Sequence, residues 1–139
     1  MKKLLILAFL CTQILFAEVN PMVELIVTIG NTLKQKHVNE IMFFEGAEAD
    51  NNRVISKFIF MPQDQNSKEQ VETVQGLHEY EDARKEFIQE FAAENKEVLC
   101  KNKLLPKLKE IDLMYVYRFR FENEQNTEEA SISARECKN

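Results

Sequence analysis

The residues best spaced to do chemistry are His78 and Asp82, in the run His78-Glu-Tyr-Glu-Asp82. On one continuous helix they stand four apart on a single face, offering a divalent ion an imidazole and a carboxylate. A zinc site normally takes three or four protein ligands, so this pair is incomplete, and His37 would have to arrive from elsewhere. The competing account is a helix start whose acids face the positive end of the dipole. A second candidate is Cys100, a nucleophile if His37 or His78 were to activate it. Against that stands pairing of Cys100 with Cys137, because an even number of cysteines in an oxidising compartment reads as a disulfide.

Other catalytic signals are missing from the chain. Gly30, Gly46 and Gly76 are isolated, so no glycine-rich loop cradles a phosphate. There is no G-x-S-x-G, no H-E-x-x-H and no C-x-x-C. Acids are numerous enough that carboxylate pairs can be drawn anywhere, and no cofactor is called for.

Two surfaces are candidates for binding rather than catalysis. Lys96, Lys101, Lys103, Lys107 and Lys109, with Arg118 and Arg120 further on, form the main basic concentration. Lys101, Lys103, Lys107 and Lys109 would make a docking patch for an acidic partner or a phosphate, against the plainer account of a solvated helix end. Tyr115, Tyr117, Phe119 and Phe121 form an aromatic stripe. It would line a ligand groove, or simply be core beneath a long helix carrying Phe87 and Phe91.

Residues 1–17 set the compartment. Lys2 and Lys3 precede an apolar run from Leu4 to Phe16, and the small residue Ala17 stands before Glu18. That order is a secretory signal peptide, and the run is short of the roughly 20 apolar residues that span a bilayer. Leu10 before Cys11 argues against lipidation, which wants a small residue there. The expectation is cleavage after Ala17, export to the periplasm or extracellular space, and no stable membrane insertion afterwards. Residues 18–139 then form one domain.

Loss of Lys2 and Lys3 turns 18 basic against 23 acidic residues into 16 against 23, a formal −7. Such a domain lacks the clustered basic footprint that nucleic acid needs. Cys100 and Cys137 would close a loop of about 37 residues, worth roughly 4 kcal/mol in the chain-entropy model.

The elements that would position these residues follow from periodicity. Asn20 caps, and Pro21 opens, a helix to about Lys36 whose apolar face is Met22, Leu25, Ile26, Ile29 and Leu33. Ile41–Phe44 and Arg53–Met61 read as a hairpin around Asp50-Asn51-Asn52. In its second strand both faces are apolar, as in an interior strand, and Pro62 ends it. Ser67 to Gln70 resembles a capping box opening a short helix that stops at Gly76. The main helix runs from His78 to Leu99, and a further turn surrounds Pro106.

Leu113–Phe121 alternates at period two, and Ala130–Cys137 closes the sheet. The order α-β-β-α-α-β-β predicts an α+β two-layer fold, an antiparallel sheet of about four strands against a long helix. The function expected is that of a small, non-enzymatic exported protein binding another protein or peptide. The alternative is a small metal-dependent or hydrolytic enzyme built around His78 and Asp82.

Overall fold

A computed structural model describes residues 19–138, so the leader and its cleavage point after Ala17 lie outside the described residues. The fold is α+β. In chain order the elements are α1 (Pro21–Gly30), a 3-10 turn (Asn31–Leu33), β1 (Lys36–His37), β2 (Met42–Asp50) and β3 (Arg53–Phe60). Then come α2 (Lys68–Glu79), α3 (Glu81–Cys100), α4 (Leu105–Glu110), β4 (Met114–Phe121), β5 (Glu128–Ser133) and a closing 3-10 turn (Ala134–Glu136). Among the described residues no helix is long and apolar enough to cross a membrane.

Five strands form one open sheet in the order β1-β2-β3-β4-β5. The class matches the expectation, with two refinements. The short β1 is an added strand, held to β2 by Lys36 opposite Phe44 and His37 opposite Phe43. The central pair β3–β4 is parallel, with Phe58 beside Phe119 and Phe60 beside Phe121. The physical reason is the connection: α2, α3 and α4 form a crossover that returns the chain to its starting end, whereas short turns give antiparallel neighbours. Apolar residues on both faces of β3 told of its interior place but not of its neighbour's direction.

Period-two alternation sorts the sheet into two faces. Val54, Phe58, Phe60, Tyr117, Phe119 and Ile132 point to the helices and share one core with Val23, Ile88, Leu99 and Leu108. On the other face Ile55, Ile59 and Val116 are also buried. Beside them run ion pairs between strands: Lys57 with Glu48, Arg118 with Glu129, and Arg120 with Glu45 at 2.9 Å. Long side chains of this kind cover apolar surface with their methylene stems while their heads stay wet.

The first helix is shorter than its pattern suggested. Asn20 caps it, its side chain accepting from the Met22 N–H at 2.9 Å, and Pro21 stands at its first position. It ends at Gly30 because Asn31 is committed to the sheet: its amide donates to the Ala47 carbonyl at 3.0 Å and accepts from the Ala47 N–H at 2.7 Å. Gly46, opposite this anchor, sits at a bulge with φ +142°. A Cβ there would stand 3.2–3.3 Å from the Lys34 stem and the Asn31 oxygen, so only glycine suits both the backbone and the space.

Candidate functional site

The expected helix over residues 78–99 is interrupted, and this removes the basis of the metal reading. Tyr80 leaves helical geometry with ψ 99°, so His78 lies in the last turn of α2 while Asp82 lies in the first turn of α3. Arg84 makes the break tolerable. Its Nη1 donates to the carbonyls of Leu77 and His78 at 3.0 and 3.1 Å, and its Nε donates to Glu128 at 2.6 Å. The guanidinium thereby satisfies carbonyls that an unbroken helix would have bonded itself.

His78 meets Glu124 instead of Asp82, with Nε2 2.5 Å from Oε1, and its ring stands edge-on to Phe121. His37 lies on the far face of the sheet against Phe43, its centroid 5.3 Å away and its Nε2 buried without a hydrogen-bond partner. Among the described residues no three of His, Cys, Asp and Glu converge as a metal site. A polar cavity of about 260 Å³ borders His78, Arg84, Glu124 and Glu128, which are already paired, His78 with Glu124 and Arg84 with Glu128.

Cys100 and Cys137 form a disulfide with their Cα atoms 5.3 Å apart. The sulfur considered as a nucleophile is therefore bonded, and it ties the end of α3 to the chain after β5.

Most of the basic residues are engaged, by different partners. Arg118 and Arg120 pair with acids on the helix-free face, while Lys101 pairs with Glu97 one turn back. Lys109 Nζ donates to the Cys137 carbonyl at 2.7 Å, and Lys96 pairs with Glu136 at 3.2 Å. Lys103 and Lys107 stay exposed on either side of α4's start.

What the structure does assemble is an apolar groove of about 300 Å³ between α1's end and α3. Its floor is the helix-facing side of the sheet: Phe44, Phe58, Tyr115 and Tyr117. Its walls carry Leu33, Val38 and Val98, which remain 54 %, 43 % and 70 % exposed although they are large and apolar. Apolar side chains so exposed around a concave floor mark a binding surface more often than a solvated one.

The aromatic stripe thus divides. Phe119 and Phe121 go beneath the helices and the Arg84 guanidinium, whereas Tyr115 and Tyr117 stack with parallel rings 6.1 Å apart along the groove. Burial pushes the hydroxyl pKa of both tyrosines upward, and at Tyr117 the neighbouring Tyr115 adds to it. With burial raising both from the ordinary tyrosine value, the phenols are neutral at physiological pH, leaving an uncharged floor. Asn95 and Asn102 supply its polar points: the Asn95 side chain donates to the Phe91 carbonyl one turn back in α3 at 2.8 Å, and the Asn102 side chain, in the turn after α3, accepts from the Leu104 N–H at 2.8 Å.

Sequence periodicity missed the groove for a definite reason. It placed Met22, Leu25, Ile26, Ile29 and Leu33 on the buried face; Met22 and Ile26 are half-buried there with Val27, but the residue buried completely is Val23, and Leu25, Ile29 and Leu33 are exposed. All of these lie within a helix so apolar that period alone does not choose the inward side.

No family model matches the chain. No curated protein matches it either. Among solved structures, it is similar to a crystal structure from Pseudomonas aeruginosa of a protein provisionally described as secreted, with a TM-score of 0.56. The superposition covers 84 % of this chain and 90 % of that one at 13 % identity. A likeness at that identity is a likeness of fold.

Proposed function

We propose that this is an exported, non-enzymatic protein that binds another protein or peptide by seating an apolar side chain in the groove between α1 and α3. The carrying observation is the groove itself: a neutral aromatic floor under Leu33, Val38 and Val98, large apolar residues that folding leaves in water. A site of this kind gains affinity by desolvating one or two anchors in a pocket, with the surrounding contacts excluding water.

Three observations support export. The leader has the order of a signal peptide. The Cys100–Cys137 bond suits an oxidising compartment. The similar Pseudomonas aeruginosa protein is provisionally described as secreted. Intact mass of the protein recovered from its native host tests this half: a chain beginning at Glu18 is expected, and one still beginning at Met1 contradicts it.

The binding half is tested by Val98→Glu. The side chain is mostly in water, so stability should change by less than about 0.5 kcal/mol, while a carboxylate at the groove mouth would have to be desolvated on binding. With the mature domain as bait in an extract of the native envelope, the variant should retain its partner at least about tenfold less well. Equal capture by wild type and variant would refute the groove as the binding surface.

A further inference from the structure

The two edges of the sheet are finished differently. Along β2 the outward backbone groups are met one after another. β1 pairs with Phe43 and Phe44, and the Val38 N–H donates to the Met42 carbonyl at 2.9 Å. Gln35 donates from its N–H to the Phe44 carbonyl at 2.8 Å and from its side-chain amide to the Glu45 carbonyl at 3.0 Å. Beyond them the Asn31 amide holds both the N–H and the carbonyl of Ala47. Side-chain amides thus close the edge that β1 is too short to cover.

β5 has no such cover. The Ala134 N–H donates to the Leu113 carbonyl, which fixes the phase of the β4–β5 ladder. In that phase Glu128, Ala130 and Ile132 turn their backbone groups to β4, so Glu129, Ser131 and Ser133 turn theirs outward. Among the described residues, the N–H and carbonyl of Glu129 and Ser131 and the N–H of Ser133 meet no hydrogen-bond partner. The strand carries no proline, bulge or lysine to discourage pairing. Between it and α3 lies a hollow of about 490 Å³ whose lining includes Ile88 and Ala130, with Glu81, Glu128 and Glu129 against a single Lys85.

We propose that β5 is a docking edge for an extended segment of a second partner protein, added antiparallel as a sixth strand and alternating basic with apolar residues. A row of backbone donors and acceptors is matched by another extended backbone, which sets the occupant's conformation. Its side chains follow from the faces, because residues directly opposite each other across a ladder share a face. Those opposite Glu129 and Ser131 lie on the helix-free side, where a basic side chain reaches the Glu129 carboxylate. Their neighbours point to the hollow, where Ile88 and Ala130 receive an apolar side chain. Charge selects against a second copy. β5 has two glutamates and no basic residue, so pairing with itself would bring more carboxylates to a hollow that already holds three for one lysine. The docking edge shares no lining residue with the groove, whose lining is uncharged, so the two surfaces ask for different occupants and do not depend on each other.

Calorimetric titration and amide NMR of the exported protein with one capped peptide, Thr-Val-Lys-Val-Lys-Val-Thr, test it. Saturable binding is expected, with the amide resonances of Glu129, Ser131 and Ser133 shifting and those of Val98 and Tyr115 unmoved. In the predicted pairing the lysine amides face β5 and the valine amides face away. N-methylation of the lysines should weaken binding at least about tenfold, and N-methylation of the valines by less than about threefold. Glutamates in place of the lysines should also weaken it about tenfold or more. Ser131→Pro removes an N–H that the fold does not use, at an edge that tolerates proline. Circular dichroism should show it folded, and it should lose the peptide. No saturable binding, shifts in the groove instead of β5, or equal or reversed affinities for the two methylated peptides would overturn the proposal. So would a folded Ser131→Pro that binds as wild type does. A wild-type dimer in sedimentation that Ser131→Pro abolishes would equally overturn it, by assigning the edge to a second copy.

Discussion

Replacing Phe119 by alanine should destabilise the domain by about 3–5 kcal/mol, the usual range for deleting a buried phenyl ring. Phe119 is 2 % exposed, in the parallel pair at the centre of the sheet. Its ring lies 5.5 Å from Phe58, 5.5 Å from Phe60 and 5.4 Å from Phe91, so it is enclosed by β3 on two sides and by α3 above. Rigid neighbours on three sides cannot collapse into the space, and the cavity term is then felt in full. Phe87→Ala is the control. That ring meets Phe60 edge-on at 5.6 Å from the half-exposed rim of α3, and its loss should cost distinctly less. Chemical denaturation of both variants measures the difference, and equal values would mean that the core is not layered as described.

Removing the disulfide with Cys100→Ser and Cys137→Ser together should lower stability by roughly 4 kcal/mol, from a sequence separation of 37. The chain after β5 is also held by the Ala134 N–H donating to the Leu113 carbonyl at 2.9 Å, by Lys109 donating to the Cys137 carbonyl, and by ion pairs of Glu136 with Lys96 and of Arg135 with Asp112. Cys137 is itself buried in the main core, so its loss also removes packing. Denaturant midpoints of the oxidised protein and the double variant, with unchanged slopes, measure the loss. A difference within about 1 kcal/mol would show that the unfolded chain gains little freedom when the bond is absent.

How much of this was legible beforehand depended on what each residue had to do. Leu113–Phe121 declared its strand because its aromatic face meets the helices while the other face carries the polar Arg118 and Arg120. Asn20-Pro21 and Ser67 declared helix starts because capping is local chemistry, and Ser67 does accept from the Gln70 N–H, at 3.4 Å. The break at Tyr80 was invisible, since it depends on Arg84 reaching back to the carbonyls of Leu77 and His78 and across to Glu128, a contact 44 residues away. That hidden break is what separated His78 from Asp82. The parallel direction of β4 is likewise a property of the crossover and of no single strand. The groove was half legible: Tyr115 and Tyr117 were picked out as possible lining, but Leu33 looked like core because it is apolar at helical spacing.

The most direct measurement of the central claim, that the groove is where this protein meets its partner, is site-specific photo-crosslinking in the native envelope. A photoreactive side chain at position 98 reports on the groove wall, and one at position 129 reports on the helix-free face, where Glu129 pairs with Arg118. The account predicts a discrete crosslinked product from position 98, absent from position 129 and lost when Leu33→Glu is added to the same chain. No product from position 98, or the same product from both positions, would contradict it.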